Sequence, residues 1–138
     1  MREGWVKSPH VLIVGCGDLG QRLGLQLRSE GWQVSAMRRR SSQLPEGFDA
    51  IQGDYTQRAD LEGLISLQPD YVVFTPLPAA RDSAGYYQGY AAPVMLMAEL
   101  GLLSSVKGGI LVSSTRVFAE ADGGWVDESS PLSQSDLL

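Results

Sequence analysis

The stretch Val11–Gly24 reads VLIVGCGDLGQRLG, four apolar residues followed directly by a loop with glycines at positions 15, 17 and 20. A continuous apolar run is typical of a strand covered on both faces, as in a parallel sheet between helices. Leucines 19, 23 and 27 recur at helical spacing until Gly31, which predicts a first helix from about Leu19 to Glu30. Strand, glycine loop and helix in this order are the context that the G-x-G-x-x-G pattern requires.

Each glycine of this pattern has a predicted physical role. Gly15 permits a tight turn, Gly17 lets the main chain approach a diphosphate without a Cβ in the way, and Gly20 lets the helix pack closely on the strand. The amides at the start of the helix, at Asp18, Leu19 and Gly20, then face the phosphates together with the positive end of the helix dipole. The loop therefore predicts dinucleotide binding, and a glycine turn that serves packing alone is the alternative.

Further apolar runs along the chain predict the rest of a sheet. The strand candidates are His10–Val14, Gln33–Met37, Ala50–Gln52, Tyr71–Thr75 and Gly109–Ser113. Two more helices are predicted, over Asp60–Ser66 and over Ala84–Leu103, with Pro93 as a kink or a break. The segments 38–49 and 121–138 are predicted as loops because they are polar and turn-rich. The alternation of strands and helices predicts an α/β fold with a doubly wound, Rossmann-type parallel sheet of about five strands.

Composition excludes several classes of function. The chain has 138 residues, a net charge of -5 and a single cysteine, Cys16. The acidic balance argues against binding of a nucleic-acid backbone, and no apolar window approaches the length of a membrane span. Cys16 has no partner for a disulfide and no neighbouring His or Cys for a metal site, so we expect a reducing cytoplasmic setting, no metal and no redox role for the thiol.

The end of the second strand indicates which dinucleotide would bind. An Asp or Glu at this position holds the adenosine ribose of NAD, whereas a basic residue accepts the 2′-phosphate of NADP. The sequence here is SAMRRRSS, without an acid, so Arg38 and Arg39, with help from Ser41, are expected to bind a phosphate. NADP is therefore favoured over NAD. The alternative is that the three arginines belong to a solvated loop only.

Two other loops follow predicted strands and are expected at the same edge of the sheet. Asp54 could hydrogen-bond the adenine edge while Tyr55 covers the ring, or Asp54 could merely cap the following turn. Thr75 and Pro76 would lie along the cofactor at the carboxyl ends of the strands, which is the usual ligand side of an open parallel sheet.

Four segments occur along the chain in this order: VLIVGCGDLGQRL, Gly53-Asp54, VSSTRVF at 112–118 and WVDESSPLSQS at 125–135. Together they resemble the extended short-chain dehydrogenase/reductases, the group of NAD(P)-dependent nucleotide-sugar epimerases and dehydratases. The glycine spacing is similar to that of an atypical, epimerase-like branch. The resemblance implies hydride transfer on a sugar-like alcohol or carbonyl. It also implies that Ser114, beside Ser113 and Thr115, hydrogen-bonds the group that exchanges the hydride.

The sequence departs from this family in its last residues. The family's catalytic Tyr would fall near Leu137, and none of the five tyrosines has a Lys four residues later. We therefore expect residues 1–138 to form an NAD(P)-binding domain truncated after the fifth strand and the following loop, without the C-terminal substrate region and incomplete for catalysis. Apolar sheet surface left uncovered would favour a homo-oligomer. The alternative function is a non-catalytic NADP(H)-binding redox sensor or regulatory module.

Overall fold

The computed structural model describes residues 8–114 and 118–133, and in them five strands form one parallel sheet. The strands are β1 (His10–Val14), β2 (Gln33–Arg38), β3 (Asp49–Gln52), β4 (Tyr71–Phe74) and β5 (Gly108–Leu111). Their order in the sheet is β3-β2-β1-β4-β5, with β1 at the centre. The predicted doubly wound α/β fold is confirmed, and every predicted strand is found with only its ends displaced.

Helices connect the strands on both faces of the sheet. They are α1 (Asp18–Ser29), α2 (Arg58–Glu62), α3 (Ser83–Tyr86) and α4 (Ala92–Glu99), with a π-helical segment at Tyr87–Ala91 between the last two. Short 3₁₀ turns lie at Ser41–Gln43 and Ile65–Leu67. The second helix was predicted over Asp60–Ser66. It begins two residues earlier, at Arg58, and the last predicted residues belong to the 3₁₀ turn rather than to an α-helix.

The irregularity predicted at Pro93 lies before that residue instead. Pro93 occupies the first turn of α4, where a missing N–H group costs nothing. The preceding turn is widened, because the amide of Ala92 donates to the carbonyl of Tyr87, five residues earlier. The regular α-helix therefore begins again at Ala92, so the expected irregularity lies within the residues directly before Pro93.

The core consists of two layers, one on each face of β1. Leu12 and Val14 pack against the side of α2 and α4, whereas Val11 and Ile13 pack against the side of α1. All four are at most 1% exposed, which explains why the strand is continuously apolar rather than alternating. His10 opens the strand and is also buried, with Nε2 2.7 Å from Ser35 Oγ.

The outer edge of the sheet at β5 is covered less well than its centre. Ile110 is 60% exposed and Leu111 is 51% exposed, although both belong to a strand that pairs with β4. The segment 118–133 beyond it contains turns and one isolated antiparallel bridge, Phe118 with Leu132, and no helix. None of the helices in the described part of the chain combines the length and the apolar character that a membrane span needs.

Candidate functional site

A cleft of about 690 Å³ opens at the carboxyl ends of the strands. It is lined by the glycine loop after β1, the arginine loop after β2, residues 53–56 after β3 and the loop after β4. In open parallel sheets this edge, beside the strand where the connections change direction, is where ligands bind. In the order β3-β2-β1-β4-β5 that strand is β1, and the glycine loop follows it.

The glycine loop is shaped by close contacts on one side and by open space on the other. Gly15 has a φ of +78°, and a Cβ on it would lie 2.9 Å from Tyr55 Cε2. A Cβ on Gly20 would lie 2.9 Å from Ile13 Cγ2, so this glycine lets α1 approach β1 closely. At Gly17 nothing lies within 4 Å of the position a Cβ would take. The absence of a side chain at Gly17 therefore serves no packing within the protein.

The start of α1 presents unpaired amides beside Gly17. The first hydrogen bond of the helix joins Gln21 N to Gly17 O at 2.9 Å, and no side chain caps the helix. The amides of Asp18, Leu19 and Gly20 precede this bond and therefore have no acceptor within the helix. They carry the partial positive charge of the helix end, which favours an anion. The side chains of Asp18 and Leu19 are exposed, and neither of these residues nor Gly20 lines the cleft itself.

Three arginines bring positive charge to the β2 side of the cleft. Arg38, Arg39 and Arg40 all line it. Within residues 8–114 and 118–133, none of their guanidinium groups forms an ion pair with a carboxylate. No acidic residue lies at the end of β2 or in the 3₁₀ turn that follows. The arginines are therefore available to an anionic ligand.

Asp54 caps the turn that follows β3. Its Oδ1 accepts hydrogen bonds from the amide of Thr56 at 2.9 Å and from the hydroxyl of Thr56 at 2.7 Å. Burial on its own would raise the pKa of the carboxyl, but these hydrogen bonds and the charge of Arg39 lower it below its ordinary value. Of the two interpretations left open by the sequence, the capping contact is present, and Asp54 also lines the cleft.

The loop after β4 differs from the prediction in one residue. Thr75 lines the cleft, and its hydroxyl donates to the carbonyl of Gly15 at 2.7 Å, which holds the glycine turn. Pro76 was expected along the cofactor but is buried and does not line the cleft. Its place is taken by Leu77, which is 71% exposed and does line it. Because successive residues of an extended chain point to opposite sides, Thr75 and Leu77 face the cleft while Pro76 between them is buried.

The other predicted residues either do not line the cleft or have a side chain of low reactivity. Ser114 is half-buried, three residues beyond the end of β5, and does not line the cleft. Thr115 and Leu137 lie outside the described residues. Cys16 is fully buried, and burial raises the pKa of its thiol to about 11, against a smaller opposing effect of Arg38. A thiol of this kind is a poor nucleophile at neutral pH.

Several lining residues were missed by the sequence analysis. They are Arg40, Gln43, Gly53, Thr56, Leu77, Pro78, Ala79 and Gly89. The tripeptide Leu77-Pro78-Ala79 directly follows a predicted strand end, and this position was a usable signal. Gly89 gave no signal, because it reaches the cleft only through the packing of the π segment on the β4 loop. Among residues 8–114 and 118–133, no group of three or more His, Cys, Asp or Glu side chains is arranged to hold a metal.

Sheet order, glycine turn and uncapped helix start together define a Rossmann-type fold. The structure is similar to a protein of Methylobacillus flagellatus assigned as an NAD-dependent epimerase/dehydratase, with 26% identity and a TM-score of 0.73, over 91% of this chain and 44% of that one. It is also similar to UDP-glucose 4-epimerase of Brucella ovis in complex with NAD, with 18% identity and a TM-score of 0.76, over 94% of this chain and 43% of the epimerase. The structure is similar as well to the Bordetella bronchiseptica enzyme WbmG in complex with NAD, with 20% identity and a TM-score of 0.73, over 95% of this chain and 46% of WbmG.

These likenesses confirm the resemblance to the epimerase and dehydratase group that the motifs predicted. The chain spans less than half the length of the three proteins and corresponds to their N-terminal part. No protein-family model matches the sequence, and a comparison with curated proteins finds no match.

Proposed function

We propose that this chain binds NADP(H) as the dinucleotide-binding domain of an epimerase-, dehydratase- or reductase-like protein. The observation that carries the proposal is the open approach to Gly17 beside the uncapped amides of α1. A diphosphate needs close access to main-chain amides, and the missing Cβ at Gly17 provides it. The similar structures are those of NAD-dependent or NAD-bound proteins, and this supports a nicotinamide dinucleotide at the same cleft.

On this proposal, the two halves of the cofactor would lie on opposite sides of β1. The diphosphate would lie at the amides of Asp18, Leu19 and Gly20, and the adenosine would extend toward β2 and β3, where Asp54 lines the cleft. The nicotinamide half would then extend toward β4, where Thr75 and Leu77 line the opposite wall. Bound there, the cofactor supplies or accepts a hydride.

The preference for NADP follows from the charges at the end of β2. Arg38 and Arg39 line the cleft without an ion-pair partner among the described residues, and no acid lies at the end of β2 to hold a free ribose hydroxyl. A 2′-phosphate would satisfy both guanidinium groups through charge-assisted hydrogen bonds, and Ser41 could add a hydroxyl. NADH has an uncharged hydroxyl in place of this phosphate.

Calorimetric titration with NADPH and NADH tests this proposal. We expect NADPH to bind more tightly than NADH, and Arg38→Asp to weaken NADPH binding by about tenfold or more, since hydrogen bonds between charged groups are the strongest. The same substitution should not weaken NADH binding, because an Asp at this position can hold the free ribose hydroxyls. Lys107→Asp is the matched control: it makes the same change of net charge before β5, at the opposite edge of the sheet. Equal affinity for both dinucleotides in the wild type and in Arg38→Asp would remove the phosphate site.

Catalysis is a separate part of the proposal. Ser114 is retained as the candidate that polarises a sugar-like alcohol or carbonyl, because it follows β5 at the carboxyl edge of the sheet. Ser114 is not among the residues that line the cleft, and this favours the second candidate function, a non-catalytic NADP(H) sensor. Substituting Ser114 by Ala in a turnover assay with NADP and sugar alcohols separates the two. Unchanged turnover would remove Ser114 from the mechanism.

We also propose self-association and a cytoplasmic setting for the protein. The exposed Ile110 and Leu111 of β5 support association, since apolar residues at a sheet edge are commonly covered by another chain. The single buried thiol, Cys16, suits a reducing compartment. Sedimentation of the wild type and of an Ile110→Lys variant tests association: a dimer that dissociates in the variant is expected, and a wild type monomeric at high concentration would contradict it.

A further inference from the structure

A single side chain connects two walls of the cleft. Tyr55 belongs to the loop after β3, and its hydroxyl accepts a hydrogen bond from Leu77 N at 3.0 Å and donates one to Leu77 O at 3.3 Å. Its ring crosses the ring of Phe74, at the end of β4, edge to face with a centroid distance of 5.0 Å. The same ring lies against Gly15, where a Cβ would be only 2.9 Å from Cε2. Tyr55 therefore contacts the glycine turn and the β4 loop at once.

The β4 loop is held on its other side by the helix that follows. The amide of Ala79 donates to the carbonyl of Gly85 at 2.9 Å. A Cβ on Gly89 would meet Leu77 O and Pro78 Cα, and one on Gly85 would meet the backbone of Ala80. The loop thus lies between the hydroxyl of Tyr55 and two glycines, and the hydroxyl joins it by hydrogen bonds to the loop after β3.

We propose that Tyr55 is a positioning residue that fixes the β4 loop for the nicotinamide half of the cofactor. The inference rests on the proposed function, because it assigns the halves of the dinucleotide as above. The Tyr55 ring supports the glycine turn and hence the proposed diphosphate site, whereas its hydroxyl forms hydrogen bonds with the main chain of Leu77. Removing only the hydroxyl should therefore affect the nicotinamide half and spare the adenosine half.

The test compares two ligands on two conservative variants. NADPH and 2′-phosphoadenosine 5′-diphosphate, which lacks the nicotinamide half, are titrated into the wild type, Tyr55→Phe and the control Tyr87→Phe. Tyr87 serves as the control because it is an exposed tyrosine of the π segment that does not line the cleft. Its hydroxyl lies 3.9 Å from Met95 Sδ. We expect Tyr55→Phe to weaken NADPH by about three- to tenfold, the range for one or two neutral hydrogen bonds, with the shorter ligand changed less than about twofold.

Other outcomes overturn the inference in recognisable ways. Equal weakening of both ligands would mean that the hydroxyl supports the whole cleft, and no weakening of either would mean that it positions nothing. A wild type that binds neither ligand would defeat the proposed function itself. Amide hydrogen exchange gives a readout without any ligand: the Leu77 amide should be protected in the wild type and exchange faster in Tyr55→Phe, and an unprotected Leu77 amide in the wild type would overturn the inference.

Discussion

The glycine loop allows binding and packing to be separated by two substitutions three residues apart. Gly17→Ala and Gly20→Ala add the same methyl group to the same motif. A methyl at Gly17 meets nothing within 4 Å, whereas one at Gly20 would lie 2.9 Å from Ile13 Cγ2 and 3.1 Å from Cys16 Sγ. The first enters the open space where we propose that the diphosphate binds, and the second enters the core.

The expected free energies differ accordingly. At Gly20 the contacts are with fully buried side chains, so α1 must move, and overpacking of this kind costs about 1–3 kcal/mol. The better helix propensity of Ala returns up to about 1 kcal/mol, which leaves a net loss of about 1–2 kcal/mol. At Gly17 a poorer helix cap and the reduced freedom of the unfolded chain offset each other to within about 0.5 kcal/mol.

Urea unfolding and calorimetric titration with NADPH measure the two effects on the same preparations. We expect Gly17→Ala to unfold with the wild-type midpoint but to bind NADPH at least about tenfold more weakly, a loss of about 1.4 kcal/mol. Gly20→Ala should unfold at lower urea. The reasoning is refuted if Gly17→Ala binds like the wild type, because the open space would then not be where the diphosphate lies. It is equally refuted if Gly20→Ala is as stable as the wild type.

Four further predictions concern three residues of the cleft, Cys16, Asp54 and Gly89. The raised pKa of Cys16, about 11, predicts slow reaction with a thiol reagent at pH 8 in the folded protein, and reaction as fast as in urea would contradict it. The fold favours the neutral thiol, so the difference in unfolding free energy between the wild type and Cys16→Ala should be greatest below the ordinary thiol pKa and shrink as the pH approaches 11. A difference that stays constant over this pH range would contradict the prediction. Asp54→Ala should lower the free energy of unfolding by about 1 kcal/mol at neutral pH. Because the pKa of Asp54 is lowered in the fold, the unfolding free energies of variant and wild type should converge as the pH falls through that pKa. A difference that does not change with pH would exclude the charged cap. Gly89→Ala should destabilise the fold by about 1–3 kcal/mol, since its methyl would meet Leu77 O and Pro78 Cα, and an unchanged unfolding midpoint would show that the β4 loop is not held there.

Much of the fold could be predicted because its strands are short, apolar and separated by clear turn signals. Val11 to Val14 are an example: a strand that is buried on both faces is continuously apolar, so its position can be recognised directly in the sequence. The π segment could not be predicted, because it depends on how Gly89 packs against a loop that precedes it in the chain. Helix ends were displaced for a similar reason, since the 3₁₀ turn at Ile65–Leu67 continues the same apolar pattern as α2.

The candidate site was predictable where one local motif fixes its geometry. The glycine loop and the arginines follow directly from strand ends, and the sequence placed them at one edge. The link between Tyr55 and Leu77 was not predictable, because the two residues are 22 positions apart and meet only when β3 and β4 are fixed by the sheet. Pro76 was named instead of Leu77 because two consecutive residues were assigned to the cleft, whereas the side chains alternate in this stretch.

The most direct test of the binding proposal follows the amides themselves during a titration. In a ¹⁵N-labelled sample, added NADPH should shift the amide resonances of Asp18, Leu19 and Gly20 in proportion to the bound fraction, with smaller changes at the amino ends of the strands, for example at Lys107. Saturable binding that leaves those three resonances in place would contradict the proposal, because the diphosphate would then lie somewhere other than the start of α1.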